Sequence, residues 1–131
     1  MSWLLDTNIC IAWLKGSDAK LRDRVLKTAP AELWLCSVVK AELLYGARKS
    51  TRVEENLRRL DAFFSELGAL PFDDRAATHY GLIRAQLERA GTPIGPNDLM
   101  VAAIALAADA TLVTRNGAEF RRVPGLRVET W

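Results

Sequence analysis

Two acidic residues follow apolar runs that are typical of buried strands. Asp6 comes directly after Trp3-Leu4-Leu5, and Glu119 lies just beyond the run at residues 111–114. Open α/β folds keep their ligands at the carboxyl ends of parallel strands, so both carboxylates are expected in one crevice. Each has a plainer alternative, which is a helix N-cap for Asp6 and an ordinary loop acid for Glu119.

Two further acids lie on predicted helices. The residues three and four positions from Glu42 are apolar or small: Val38, Val39, Tyr45 and Gly46. The Glu42 carboxylate is therefore expected on a side of its helix that faces the protein. Asp98 begins an apolar helix that carries no further charge before Asp109. The plainer alternatives are an arginine-paired structural carboxylate for Glu42 and an N-cap for Asp98.

Carboxylates gathered at one edge of a sheet repel one another. Two charges about 4 Å apart cost about 4 kcal/mol at an effective dielectric of about 20. A protein tolerates this when a cation lies between them or one group holds a proton. Oxygen ligands favour Mg²⁺ or Mn²⁺, and such a site suits phosphoryl chemistry. The four acids therefore predict a divalent-cation site, with two asparagines as candidate polar neighbours, Asn8 and Asn116.

Several other chemistries are excluded by what the chain lacks. His79 is the only histidine, so neither paired-imidazole hydrolysis of RNA nor a Ser-His-Asp triad is expected. No cysteine–histidine cluster offers a zinc site, and no glycine-rich phosphate loop is present. Cys10 and Cys36 are isolated in apolar surroundings, which is typical of core thiols in a reducing cytoplasm.

The composition fits one globular domain over residues 1–131. Half of the residues are hydrophobic, so the chain can bury a core without disulfides. The net charge of +2 is too small to imply a nucleic-acid partner by itself. Basic clusters such as Arg115 with Arg121-Arg122 are interpreted as solvated surface. No uncharged apolar stretch is long enough for a membrane span, and no signal peptide is expected.

The elements that must position the acids alternate along the chain. Strands are predicted at residues 3–5, 33–36, 111–114 and 126–129, with a weaker edge candidate at 69–72. Helices are predicted at about 8–15, from a cap at 17–18 to about 30, from Ser37 as cap to about 48, at 53–67, from Asp73 or Asp74 to about 90, and at 98–108. This alternation indicates an α/β/α sandwich with a mostly parallel sheet of four or five strands.

Four motifs occur in order along the whole chain. They are Leu5-Asp6-Thr7-Asn8, the segment 37–47 around Glu42, Ile94-Gly95-Pro96-Asn97-Asp98, and Thr114-Arg115-Asn116 with Glu119-Phe120. Together they resemble the PIN-domain ribonucleases, and specifically the VapC-type toxins of type II toxin–antitoxin pairs. The ordered set is far more specific than the first motif alone.

The resemblance implies a single PIN-like domain and a Mg²⁺- or Mn²⁺-dependent endoribonuclease. Asp6, Glu42 and Asp98 match the family's acidic triad. Asp6 and Asp98 would ligate the metal most directly, and Glu42 would hold metal or water, as a general base. Hydrolysis by activated water would leave 5′-phosphate and 3′-hydroxyl ends.

The last acidic position fits the family pattern least closely. Many members carry aspartate there, whereas this chain offers Asn116 and Glu119. The metal-binding role is carried to Glu119, with Asn116 as a neighbour of the site. Thr114 matches the hydroxyl that is often found at the end of this strand.

The resemblance also implies partners. These are a homodimer, a cognate VapB-type antitoxin that inserts a segment into the acidic groove, and a higher toxin–antitoxin assembly. Residues 84–96 resemble enteric toxins that cut initiator tRNA in its anticodon stem-loop. Two alternatives stay open: a non-catalytic PIN-like module that binds nucleic acid or antitoxin, and another Mg²⁺-dependent phosphohydrolase. Retention of all the acids disfavours the first, and Asn8 replaces the aspartate that a haloacid-type phosphatase needs.

Overall fold

A five-stranded sheet organises the chain, in a computed structural model that describes residues 1–131. Its strands are Trp3–Leu5 (β1), Leu33–Cys36 (β2), Gly68–Leu70 (β3), Thr111–Val113 (β4) and Val128–Glu129 (β5). The order is β3-β2-β1-β4-β5, and every pairing is parallel. The chain moves outward from the central β1 first in one direction and then in the other, so its strand order reverses between β1 and β4.

The connections between these strands are helical. The helices are Thr7–Lys15 (α1), Ala19–Leu26 (α2), Ser37–Arg48 (α3), Val53–Glu66 (α4), Asp74–Arg89 (α5), Pro96–Ala107 (α6) and Gly117–Phe120 (α7), with a 3₁₀ turn at Pro30–Glu32. Right-handed crossovers in two opposite directions cover both faces of the sheet, which confirms the predicted α/β/α class. None of the helices combines the length and apolar character that crossing a membrane requires.

The core is continuous and lies around the two central strands. β1 and β4 are buried along their whole length. As expected from its sequence, α6 is buried nearly all round, with core residues Leu99, Val101, Ala102, Ala103, Ile104 and Ala105. Its alanines allow the close contact with α5. Cys10 and Cys36 are buried free thiols in this core.

The predicted starts of two helices are wrong. α6 begins at Pro96 with Gly95 as its N-cap, so Asp98 lies within the first turn and does not cap it. Proline suits the first helical position because its fixed φ matches the helix and its missing N–H needs no partner there. Ser37 is the first residue of α3, and the N-cap is Cys36, which forms no side-chain capping bond.

Other boundaries also differ from the prediction. β3 starts at Gly68, the residue expected to end α4, and it stops before Pro71, which has no N–H for a strand ladder. α2 ends at Leu26, well short of residue 30, where a 3₁₀ turn begins instead. β5 is shorter than predicted, and α7 was not predicted.

The chain's last residue closes the edge of the sheet. Trp131 is buried and its ring lies 5.3 Å from that of Trp3. The guanidinium of Arg24 lies 4.6 Å from the Trp131 ring and donates to Glu129 at 3.1 Å. Glu129 also accepts from the indole N–H of Trp131 at 3.2 Å. This cluster secures the short β5 strand to α2 and β1.

Gly68 makes a close approach that a larger residue would block. It pairs with Trp34, and a β-carbon on Gly68 would lie 2.5 Å from Trp34 Cζ3. We therefore expect Gly68→Ala to lower the free energy of unfolding by about 1–3 kcal/mol. Gly81→Ala is the matched control, because a β-carbon there meets nothing within 4 Å, and it should stabilise α5 by about 0.5–1 kcal/mol. Chemical denaturation measures both, and equal effects would contradict the expected clash.

Candidate functional site

Asp6 lies between β1 and α1 and is held from both sides. Its Oδ1 accepts from the Ile9 N–H at 3.2 Å, which makes it the N-cap of α1. Its Oδ2 accepts from the hydroxyl of Thr114, at the end of β4. Burial raises the pKa of Asp6, and the hydrogen bonds from Thr114 and Ile9 oppose this rise. The capping role proposed as an alternative is therefore real, and it fixes a carboxylate that is only 7% exposed.

Thr114 connects Asp6 with the loop that follows β4. Its side chain is fully buried. While its hydroxyl donates to Asp6, it accepts from the backbone N–H of Asn116 at 2.9 Å. The orientation of this loop is thereby tied to the same carboxylate.

Glu119 is carried by the short helix α7 and has two hydrogen-bond partners. Its Oε2 accepts from Asn116 Nδ2 at 2.7 Å, and its Oε1 accepts from the backbone N–H of Gly95 at 3.2 Å. Asn116 thus supports the Glu119 carboxylate. The bond from Gly95 joins Glu119 to the loop that begins α6.

Asp98 lies in the first turn of α6 and shares its region with the other three acids. Burial is the largest cause that raises its pKa, to about 6. The charges of Glu119, Glu42 and Asp6 raise it further, in that order. The structure therefore brings the other three sequence-predicted acids within electrostatic range of Asp98.

Neither Glu42 nor Asp98 accepts a hydrogen bond within the protein, and both are half-buried. None of the four acids forms an ion pair, although seven ion pairs occur elsewhere in the chain. An arginine partner for Glu42, its plainer alternative, is thus absent. No cationic side chain forms an ion pair with any member of the cluster to offset the mutual repulsion.

The donor set suits a hard divalent cation, because it consists of carboxylate oxygens alone. As the side chains stand, no three of the Asp, Glu, His or Cys side chains are placed to hold a metal ion. Asp6 and Glu119 are fixed by hydrogen bonds, whereas Glu42 and Asp98 have none to break. Rotation of these two free carboxylates is therefore what binding of a cation would require.

The side chains of Asn8 and His79 form no hydrogen bond with the four carboxylates. The Asn8 side chain is exposed and lines a cleft of about 670 Å³ next to Asp6, although its backbone N–H contributes to lowering the Asp6 pKa. His79 is half-buried on α5 and hydrogen-bonds none of the acids.

Arg115 is the residue beside the site that the sequence did not single out. It pairs with Asp18, the N-cap of α2, and its charge contributes to lowering the Asp6 pKa. The feature of the sequence that could have identified Arg115 as a site residue is its place between Thr114 and Asn116. Clustering with other arginines concealed that signal, because basic runs usually mark solvated surface.

Known proteins resemble this chain over its full length. The family model for the PIN domain matches residues 3–126. The chain is 44% identical over 131 residues to the tRNA(fMet)-specific endonuclease VapC of Shigella flexneri, with 100% of this chain and 98% of that protein covered. It is 42% identical over 132 residues to ribonuclease VapC2 of Rickettsia felis, with the same coverage.

Solved structures give the same result. The DNA-bound VapBC of Salmonella typhimurium matches with a TM-score of 0.92 and 42% identity, covering 100% of this chain and 98% of that one. VapBC2 of Rickettsia felis, bound to a DNA fragment from its promoter, matches with a TM-score of 0.90 and 37% identity, covering 100% and 99%.

The raised pKa of Asp98 predicts how the free energy of unfolding changes with pH. The unfolded chain releases this proton near pH 4 and the folded chain near pH 6, so ionisation of Asp98 destabilises the fold as pH rises through this window. Asp98→Asn should therefore raise the free energy of unfolding above pH 6 by roughly 1 kcal/mol, a value reduced for solvent screening. The gain should vanish below about pH 4.

Denaturation in EDTA at pH 7.5 and pH 3.5 measures this effect, with the exposed Asp61→Asn on α4 as the charge-matched control. An Asp98→Asn variant no more stable than wild type at pH 7.5 would refute the repulsion inferred for the cluster.

Proposed function

The chain belongs to the PIN-domain family, and from this membership we propose that it is a VapC-type endoribonuclease, the toxin of a type II toxin–antitoxin pair. One observation carries the proposal: four acids share one region of the structure and have no cationic partner. Initiator tRNA is the proposed substrate, because relatives at 44% and 41% identity are named as tRNA(fMet)-specific endonucleases.

We propose that four acids, Asp6, Glu42, Asp98 and Glu119, hold Mg²⁺ or Mn²⁺. The chemistry that such a cation supplies when bound is neutralisation of charge on the phosphate oxygens and acidification of water. Thr114 and the α1 backbone keep Asp6 in place, and Asn116 does the same for Glu119. Fixed ligands lower the entropic cost of forming the site, while the two free carboxylates adapt to the ion.

Glu42 is the proposed general base. Its carboxylate has no hydrogen-bond partner and lines two clefts, one between α1, α3 and α4 and one that includes Tyr45 and Asn97. A carboxylate with free oxygens at the meeting of two clefts can accept a proton from an attacking water. The expected products are a 5′-phosphate and a 3′-hydroxyl.

The proposed partners follow from the relatives. Structures of similar proteins are VapBC complexes, so a VapB-type antitoxin is proposed to neutralise this chain. A homodimer within a larger toxin–antitoxin assembly is proposed as its form in the cytoplasm, with the whole chain, residues 1–131, as one PIN domain. Single-stranded loops are the favoured RNA targets, because their backbone can enter a crevice that a duplex cannot.

Cleavage should require a divalent cation. We expect purified chain to cut initiator tRNA in Mg²⁺ or Mn²⁺, and EDTA to reduce the rate at least about 100-fold, because the repelling acids need a counter-ion. Mapping the 5′ ends of the fragments gives both the cut site and the end chemistry. Cleavage that persists in EDTA, or a 2′,3′-cyclic phosphate product, would contradict the proposal.

Asp6→Asn separates charge from structure at the centre of the site. Asparagine is as good an N-cap as aspartate, and with its oxygen on the Ile9 N–H its Nδ2 can donate to the Thr114 hydroxyl oxygen, so the fold should be retained. We expect the tRNA cleavage rate to fall about 100-fold or more, with an unchanged circular dichroism spectrum. Asp61→Asn, which removes an exposed charge on α4, should cleave like wild type. Wild-type activity of Asp6→Asn would exclude the proposed role.

A further inference from the structure

A polar cleft of about 670 Å³ is lined by residues that flank Asp6 and its hydrogen-bond partner Thr114 in the chain. Asn8, two residues beyond Asp6, lines it together with Lys15 at the end of α1. Arg115, directly after Thr114, lines it from the opposite direction. An amide, an ammonium and a guanidinium group therefore line one open space, together with the Asp18 carboxylate.

Two contacts of Asp18 hold Arg115 beside this cleft. Asp18 Oδ1 caps α2 by accepting from the Leu21 N–H at 3.0 Å. Asp18 Oδ2 accepts from Arg115 Nη2. One carboxylate thus fixes the guanidinium to a helix end, while the Arg115 side chain remains 39% exposed. A guanidinium has five N–H donors and this pair uses one, so donors remain for a ligand in the cleft.

The acidic cluster repels the phosphates of RNA, and the cationic side chains of this cleft can offset that repulsion. An RNA strand carries a negative charge on every phosphate, and four carboxylates without cationic partners repel it. Lys15 forms no ion pair, and the only ion-pair partner of Arg115 is Asp18. These two cations are placed to attract the strand where the carboxylates repel it.

We propose that Arg115, with Lys15 and Asn8, forms a phosphate subsite that binds a phosphodiester of the RNA strand next to the one that is cleaved. The inference rests on the proposed ribonuclease function. Arg115 acts as a positioning residue, because its planar fork matches two phosphate oxygens and orients the strand across the acids. Asp18 contributes to the subsite through Arg115, by holding the guanidinium beside the cleft.

The competing explanation is a surface ion pair that serves only stability. Exposed pairs contribute about 0–1 kcal/mol and do not alter substrate binding. Under that explanation, loss of Arg115 would leave KM and the salt dependence of cleavage unchanged. These two measurements therefore separate the explanations, whereas a melting temperature alone does not.

The test uses the full chain with initiator tRNA in Mg²⁺ at several KCl concentrations. Arg115→Gln should raise KM about 10- to 100-fold while kcat stays within about threefold, and it should reduce the slope of log(kcat/KM) against log[KCl] by about one. Arg115→Lys should restore the slope but only part of the KM, since it keeps the charge and loses the fork. Arg75→Gln, which removes an exposed arginine of α5 with no ion pair, should match wild type.

The outcomes are distinct. No cleavage by wild type in Mg²⁺ or Mn²⁺ would remove the ribonuclease proposal itself. Cleavage by wild type with an unchanged KM and salt slope in Arg115→Gln would overturn the phosphate subsite alone. A fall in kcat at constant KM would also overturn it, since Arg115 would then act on the chemistry and not on binding. If Arg115→Gln and Arg75→Gln change KM and the salt slope equally, Arg115 contributes only as general surface charge, which also contradicts the subsite.

Discussion

The hydrogen bond from Thr114 to Asp6 is the contact on which the rest of the site depends. It joins the ends of β1 and β4, the two strands between which the order of the sheet reverses. Thr114 also receives the N–H of Asn116, and Asn116 in turn supports Glu119. A single buried hydroxyl therefore sets the relative positions of two acids that are more than a hundred residues apart in the chain. Its loss would leave a buried carboxylate partly unsatisfied.

The four acids differ in how firmly their side chains are held. Asp6 and Glu119 are restrained by hydrogen bonds, while Glu42 and Asp98 have none. Burial, and after it the repulsion among the acids, raises the pKa of Asp98, so the fold tolerates a local cost in a region of concentrated negative charge. Functional sites commonly carry such local destabilisation, and a large apolar core around β1, β4 and α6 offsets it here.

The sequence was sufficient to predict the fold class and the grouping of the acids. Period and length identify strands and helices, and parallel strands bring their carboxyl ends together, so Asp6 and Glu119 could be placed without coordinates. Contacts between distant segments could not be predicted from the sequence. The pairing of Arg115 with Asp18 and the bond from Gly95 to Glu119 depend on loop conformation, which residue type does not encode. The predicted starts of two helices were wrong, because Ser37 and Asp98 are good capping residues that lie inside their helices. The preceding strand sets the start of α3, and Pro96 sets the start of α6.

The position of β1 at the centre of the sheet imposes an order of events during synthesis. The residues of β1 precede β4, which completes their pairing, by more than a hundred residues, and Trp131, which packs against Trp3, lies farther along still. The carboxylate of Asp6 is therefore made long before Thr114 exists to hold it. A growing chain cannot assemble this acidic centre until the segment around Thr114 has also been made.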